Sequence, residues 1–161
     1  MSFRIRVLLA IGMALAGAAA RPLAAQTRFG GQLSFASDAN FGIGARVVAD
    51  FASLVPRVRN VSLIGSLDYF FPGRSVTYFE LNGNAVYRIS VTGWRITPYV
   101  GGGLNIGHAG GARAGGSSSQ VGLNLVGGTW FNRAGGVRPF LELRAELGGF
   151  GQFLVTGGML F

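Results

Sequence analysis

From Thr27 to Phe161, apolar side chains recur at every second position over stretches of about ten residues, the period of a β-strand and not of a helix. The first stretch sets Phe29, Gly31, Leu33 and Phe35 against Arg28, Gly30, Gln32 and Ser34. After a turn at Ser37-Asp38-Ala39-Asn40 the second runs from Phe41 to Phe51, and the third runs from Asn60 to Phe71, closed by Pro72-Gly73. The fourth covers Phe79 to Ile89 and turns at Thr92-Gly93. In the fifth, Trp94 to Gly107, the run Gly101-Gly102-Gly103 blurs the parity, yet Ile96, Val100, Leu104 and Ile106 share one face. Pro98 belongs near the end of that strand or at a bulge, because it cannot donate to a ladder. A Gly/Ala/Ser loop from Ala109 to Ser119 leads into the sixth strand, Gln120 to Phe131, and Asn132 to Val137 turns the chain again. The seventh alternates most cleanly, with Leu141, Leu143, Ala145 and Leu147 opposite Glu142, Arg144 and Glu146. The eighth follows Gly148-Gly149-Phe150-Gly151 and carries Phe153, Val155, Gly157, Met159 and Phe161 on one parity.

Period two alone does not say whether the apolar face looks inward, as in a soluble barrel, or outward into lipid. The polar face decides. A water-facing exterior is rich in Lys and Glu, whereas this chain has no Lys and only 12% charged residues, about half the usual share. Its polar parity is mostly Gly, Ser, Asn and Gln, which suits a narrow interior filled by small side chains and selected ion pairs. Aromatic residues gather near strand ends: Phe35, Phe41, Tyr69, Phe71, Phe79 and Phe153 toward one rim, Phe29, Phe51, Tyr87, Trp94, Phe131 and Phe161 toward the other. Paired aromatic girdles and strands of about ten residues match a membrane-crossing barrel. An open sheet edge in lipid leaves peptide groups unpaired, so the first and eighth strands are expected to close the cylinder.

The first 25 residues read as a secretory signal: a basic start with Arg4 and Arg6, an apolar run from Val7 to Ala20, and small residues ending at Ala24-Ala25. As a helix that run spans only about 21 Å, short of a hydrocarbon core near 30 Å. Cleavage after Ala20 is the alternative cut. The expected organisation is therefore a signal peptide at 1–25 and one barrel domain at 26–161. Every later apolar run is broken within a few residues by polar, charged or paired Gly residues, so no helical span follows. With no Cys in the chain, disulfides, thiolate metal sites and a lipid-modified cysteine are excluded. The net charge of +8 arises from 14 Arg against six acids. Without Arg4, Arg6 and Arg21 of the leader, eleven Arg remain against the same six acids, or +5. These Arg are scattered singly, unlike a nucleic-acid-binding face.

Three segments carry a family resemblance: Thr97-Pro98-Tyr99-Val100-Gly101-Gly102-Gly103-Leu104, Arg138-Pro139-Phe140-Leu141-Glu142-Leu143-Arg144, and the alternating end from Phe153 to Phe161. Over essentially all of 27–161 the chain resembles the small outer-membrane barrels of Gram-negative-type bacteria, of the OmpX, OmpW and OmpA-barrel kind. The resemblance implies an all-β, closed, antiparallel up-and-down barrel of about eight strands in the bacterial outer membrane, with both termini in the periplasm. It also implies that Phe153, Val155, Met159 and Phe161 form the signal read by the barrel-assembly machinery. Expected partners are outer-membrane lipids and lipopolysaccharide, with no nucleic acid, and the expected state is a monomer. Loops at the far end are short, unlike those of adhesin-like members.

Arg46, Asp50, Asp68, Glu80, Arg88, Glu142, Arg144 and Glu146 all fall on the inner parity. Unpaired, each charge there is costly. The expectation is that Arg46 and Arg144 bridge Asp68, Glu80, Glu142 and Glu146, so that the lumen is plugged; an eight-stranded cylinder is barely wide enough for its own side chains. Arg28, Arg57, Arg59, Arg95, Arg133 and Arg138 collect near the periplasmic rim as lipid head-group anchors, while Arg74 and Arg113 on the outer side are candidates for lipopolysaccharide phosphates. His108, the only His, is named with Ser117 to Ser119 and Glu146 because barrel acyl hydrolases use a Ser and a His near the outer rim; no tight motif links them. One His and dispersed carboxylates show no metal-ligand spacing. The glycine runs lead into no helix and so make no phosphate cradle. No cofactor and no enzymatic activity are expected. The expected role is structural or interactive, with a narrow transporter of small or apolar solutes, a lipid acyl hydrolase and a soluble exported barrel as the rivals.

Overall fold

The computed structural model describes residues 27–53, 55, 57–72, 76–111, 117–132 and 135–161. The expected signal segment lies outside the described residues, as do Arg74, Arg113 and Arg133. Eight strands follow one another: β1 (Thr27–Ala36), β2 (Asn40–Asp50), β3 (Val61–Phe70), β4 (Thr77–Arg88), β5 (Ile96–Gly110), β6 (Ser118–Phe131), β7 (Arg138–Leu147) and β8 (Phe153–Leu160). Each pairs antiparallel with the next, and β8 returns to β1, giving a closed up-and-down barrel. The closing register runs from Gly30 opposite Leu160 to Ala36 opposite Leu154. Both strand termini lie at one end, here the terminal end, with the connections at 51–60, 89–95 and 132–137. The hairpin end carries the shorter turn at 37–39 and the connections at 71–76, 111–117 and 148–152.

The elements follow the alternation closely, with two departures. Phe51–Ser53 forms a short 3-10 turn instead of prolonging β2. The expected flexible loop from Ala109 to Ser119 is trimmed at both ends, because β5 and β6 run on until Ala109 faces Ser118 and His108 faces Ser119. Small Gly, Ala and Ser residues have little strand preference of their own; here the neighbouring ladder supplies the pairing that decides their conformation. Pro98 is the third residue of β5, and its carbonyl accepts from the Ile89 N–H at 2.8 Å.

Even-numbered residues point inward in every strand but β5, where the odd-numbered residues from Tyr99 onward do so. Leu81, Leu104, Leu123, Leu143 and Leu147 stand on the outside, with Leu143 48% exposed, whereas Glu142 and Arg144 beside it are each 1% exposed. The molecule is therefore apolar outside and carries its buried charges within, the inverse of a water-soluble barrel. Outer aromatics at the hairpin end form a contact chain, Phe35 to Phe41 at 5.3 Å, Phe41 to Phe71 at 6.1 Å and Tyr69 to Phe71 at 5.0 Å between ring centroids. Phe29, Tyr87, Trp94, Phe131 and Phe161 are exposed around the terminal end. These are the two girdles that interfacial aromatic side chains form.

Glycine is placed by packing as much as by turns. A Cβ on the inward Gly103 would lie 2.0 Å from the Gly83 carbonyl oxygen and 2.6 Å from the Asn84 Cα, whereas one on the outward Gly83 would meet nothing within 4 Å. Gly103→Ala should therefore cost about 1–3 kcal/mol of unfolding free energy through overpacking, and Gly83→Ala should be close to neutral. Urea titration of the barrel in lipid vesicles, read by the gel mobility of folded and unfolded forms, checks both.

Candidate functional site

Among the described residues the lumen gathers a dense cluster of buried charge, and alternation explains how. Glu142, Arg144 and Glu146 occupy successive inward positions of β7, so an arginine stands between two carboxylates on one strand. Arg144 Nε lies 3.1 Å from Glu146 Oε1, and its Nη2 lies 3.3 Å from Glu80 Oε2 on β4 and 3.8 Å from Asp68 Oδ2 on β3. Arg46 reaches across the barrel from β2 and meets Glu142 in a two-pronged pair, Nη1 to Oε2 at 2.8 Å and Nη2 to Oε1 at 2.6 Å. Both partners of that pair are fully buried. The Arg46 guanidinium also lies 4.2 Å over the centre of the Phe140 ring, a cation–π contact strengthened by the lack of water.

Four carboxylates and two guanidinium groups share this layer, so neutral donors do much of the work. Asp68 accepts from Gln32 at 2.5 Å, Ser66 at 3.1 Å and Ser34 at 3.3 Å. Glu80 accepts from Gln152 at 2.5 Å and from the Tyr78 hydroxyl. The Tyr99 hydroxyl donates to Glu142 at 2.8 Å, and Arg46 Nε donates to Gln32 at 2.6 Å. Next to the charges sits an amide cluster, in which Asn124 donates to Asn82 and Asn84 at 3.0 Å each and Asn105 donates to Asn124 at 2.8 Å. Buried charges persist only with such partners.

Two apolar layers bracket the network, and here the expected interior of small polar side chains needs correction. Toward the hairpin end, Ala36, Ala39, Phe70, Tyr78 and Leu154 pack together with Ala109 and Phe150. Toward the terminal end, Val48, Ile64, Val86, Tyr99, Val126, Trp130, Phe140 and Leu160 form a second layer, with the Tyr99 and Trp130 rings stacked at 4.1 Å. The inner parity thus alternates apolar and ionic along the axis. Period two reports the face of a strand and not the height at which a residue stands.

Asp50 and Arg88 lie beyond that second layer, apart from the other six predicted charges. Arg88 Nη1 pairs with Asp50 Oδ1 at 2.6 Å, and Ser62 donates to the same carboxylate oxygen at 2.9 Å. They line a cavity of about 360 Å³ at the terminal mouth, together with Thr27, Arg28, Val48, Trp130, Arg138 and Phe161. Arg28 and Arg138 therefore do not serve as outward anchors at a lipid surface, because their even parity turns them into the lumen. Sequence reasoning placed Gln32, Asn82, Asn84 and Asn124 on the inward parity without partners, and missed Tyr78, Tyr99, Asn105 and Gln152. Inward parity is the signal for most of them, but a strand-crossing partner is not legible from one strand.

His108 Nδ1 lies 2.8 Å from Ser119 Oγ, and its ring sits 5.0 Å from that of Phe79 on the outside of the hairpin end. Glu146 faces the lumen on the opposite side of the wall, so the three do not meet. Among the described residues no group of three or more His, Cys, Asp or Glu side chains is placed to hold a metal ion. Phe153, Val155, Met159 and Phe161 all project outward and are exposed.

The sequence matches no protein-family model and no curated protein. Solved structures match the fold. The N-terminal β-barrel domain of Pseudomonas aeruginosa OprF aligns with a TM-score of 0.67 at 15% identity, over 84% of this chain and 96% of that domain. Neisserial surface protein A aligns with a TM-score of 0.54 at 15% identity, over 83% of this chain and 91% of its own. A de novo designed transmembrane β-barrel also gives 0.54, at 10% identity, over 84% and 92% of the two chains. The chain has the fold of the small eight-stranded outer-membrane barrels.

Because Arg46 and Glu142 are each other's main partner, Arg46→Gln should destabilise the barrel by about 3–5 kcal/mol, leaving a buried carboxylate uncompensated. The double variant R46M/E142Q keeps an acceptor for Tyr99 and should recover most of that loss. Urea unfolding in lipid vesicles compares the two.

Proposed function

We propose that this chain is an integral barrel of the bacterial outer membrane with a structural and interaction role, its lumen closed to diffusion by its own side chains. The observation that carries the reading is the Arg46–Glu142 pair joining β2 and β7 across the lumen, backed by the Tyr99–Trp130 stack. A solute crossing the barrel must break a buried ion pair and part an aromatic layer. The Leu-rich exterior with its two aromatic girdles supports insertion in lipid, and the fold likeness supports the outer membrane as that lipid.

In this reading the terminal end faces the periplasm. The outward Phe153, Val155, Met159 and Phe161 are presented to the barrel-assembly machinery before β8 closes on β1. The barrel is a monomer among outer-membrane lipids, with lipopolysaccharide at its outer rim. The role is non-enzymatic: His108 and Ser119 meet, but the carboxylate named with them faces the other way. A transporter needs a continuous path, and the layered lumen supports none.

Protein refolded into planar bilayers should give no stable, large single-channel conductance. The same preparation should shift in gel mobility on boiling and stay with membranes through alkaline carbonate washing. Sustained conductance removes the plug from the account, and release by carbonate removes the membrane.

A further inference from the structure

The cavity at the terminal mouth stands apart from the Arg46–Glu142 network. Three guanidinium groups converge on it from three strands: Arg28 from β1, Arg88 from β4 and Arg138 from β7. One carboxylate, Asp50, stands among them. Arg88 is held by Asp50 and also donates to the Arg59 carbonyl. Arg28 donates to the Gly136 carbonyl at 2.7 Å. Arg138 has Arg28 and Arg88 as like-charged neighbours and Asp50 as an opposite one. A guanidinium carries five N–H donors, so the three arginines bring far more donors to this space than the single carboxylate of Asp50 can accept.

A second observation is independent of charge. Trp130, which lines the same cavity and is 1% exposed, has a buried indole Nε1 with no hydrogen-bond partner. A buried donor of that kind is costly unless something accepts from it. The space is thus lined by three guanidinium groups and one carboxylate, an excess of positive charge. Its apolar floor, Val48 and Trp130, seals it from the ion network beyond.

We propose that this vestibule binds phosphate-bearing anions. A phosphoryl group offers three terminal oxygens to arginines arriving from different directions, the multidentate match that guanidinium makes best. About 360 Å³ leaves room for a small organic body beside the phosphoryl group, lying against Val48 and Trp130. The same chemistry is presented by a soluble phosphate ester and by the headgroup of an anionic phospholipid folding into the mouth.

The chain has two Trp, so a Trp94→Phe background leaves Trp130 as the only indole emitter. In that background, refolded into maltoside micelles free of phosphate, pyrophosphate and phenyl phosphate should each change the emission of Trp130 saturably. Sodium chloride at matched ionic strength should not. Doping the micelles with phosphatidylglycerol forms the second arm: a change there that displaces phenyl phosphate assigns the site to the lipid headgroup, and no change assigns it to soluble esters. Arg28→Gln with Arg138→Gln should weaken binding at least tenfold while the folded gel mobility is kept. If that double variant does not fold, Arg138→Gln alone carries the comparison. No saturable response in either arm, a response equalled by chloride, or affinity unchanged in the folded variant overturns the proposal.

Discussion

A hydrocarbon layer offers peptide groups no water to bond with, so a strand can lie in it only if every N–H and C=O finds a partner on a neighbouring strand. That requirement makes the β1–β8 seam the condition for everything else. The seam is extended past its ladder at both ends, by Phe161 N–H to the Phe29 carbonyl at 2.7 Å and Ser37 N–H to the Phe153 carbonyl at 2.9 Å. Once the cylinder is shut, each side chain has two choices: the acyl tails outside or a lumen about one side chain deep. Apolar residues on one parity, and an inner parity that holds the lumen's ion network between two apolar layers, follow from that closure, as does the inward glycine at 103, where β5 runs too close to β4 for a Cβ.

Closure also sets the electrostatics. A narrow lumen excludes bulk water, so charges placed there must satisfy one another across the barrel and not through solvent. Arg46 and Arg144 answer to carboxylates on other strands, and neutral Gln, Ser, Tyr and Asn side chains supply the remaining donors. The apolar layers above and below hold that network away from both mouths. The vestibule differs because it opens to one side, and its surplus of cationic donors can be met from outside.

Strands, turns and parity were legible because alternation in this chain is long and regular. The seventh strand shows why: with Leu at 141, 143 and 147 against Glu, Arg and Glu at 142, 144 and 146, only one face suits lipid. The glycine run at 101–103 blurred that signal, yet the outward set Ile96, Val100, Leu104 and Ile106 still fixed the face. Height along the axis was not legible. Asp50 and Arg88 share the parity of Arg46 and Glu142 but stand beyond the Tyr99–Trp130 layer, and only the register of neighbouring strands reveals that. Arg28 and Arg138 were read as rim anchors because they sit near strand ends; their parity, the weaker cue in so short a flank, places them inside. Gln152 precedes β8 and Tyr78 is the second residue of β4, so neither lay in a stretch long enough to assign.

The central claim is the inside-out partition of side chains, and nitroxide accessibility measures it directly. The chain has no Cys, so single cysteines at Leu104, Leu123 and Leu143 can be spin-labelled in lipid vesicles and compared with one at Val126 in the lumen. The account predicts that the three Leu positions collide readily with oxygen, which concentrates in acyl chains, and rarely with a water-soluble nickel complex, while Val126 is shielded from both. Free access of the nickel complex to the Leu positions, or oxygen access at Val126 alone, contradicts it.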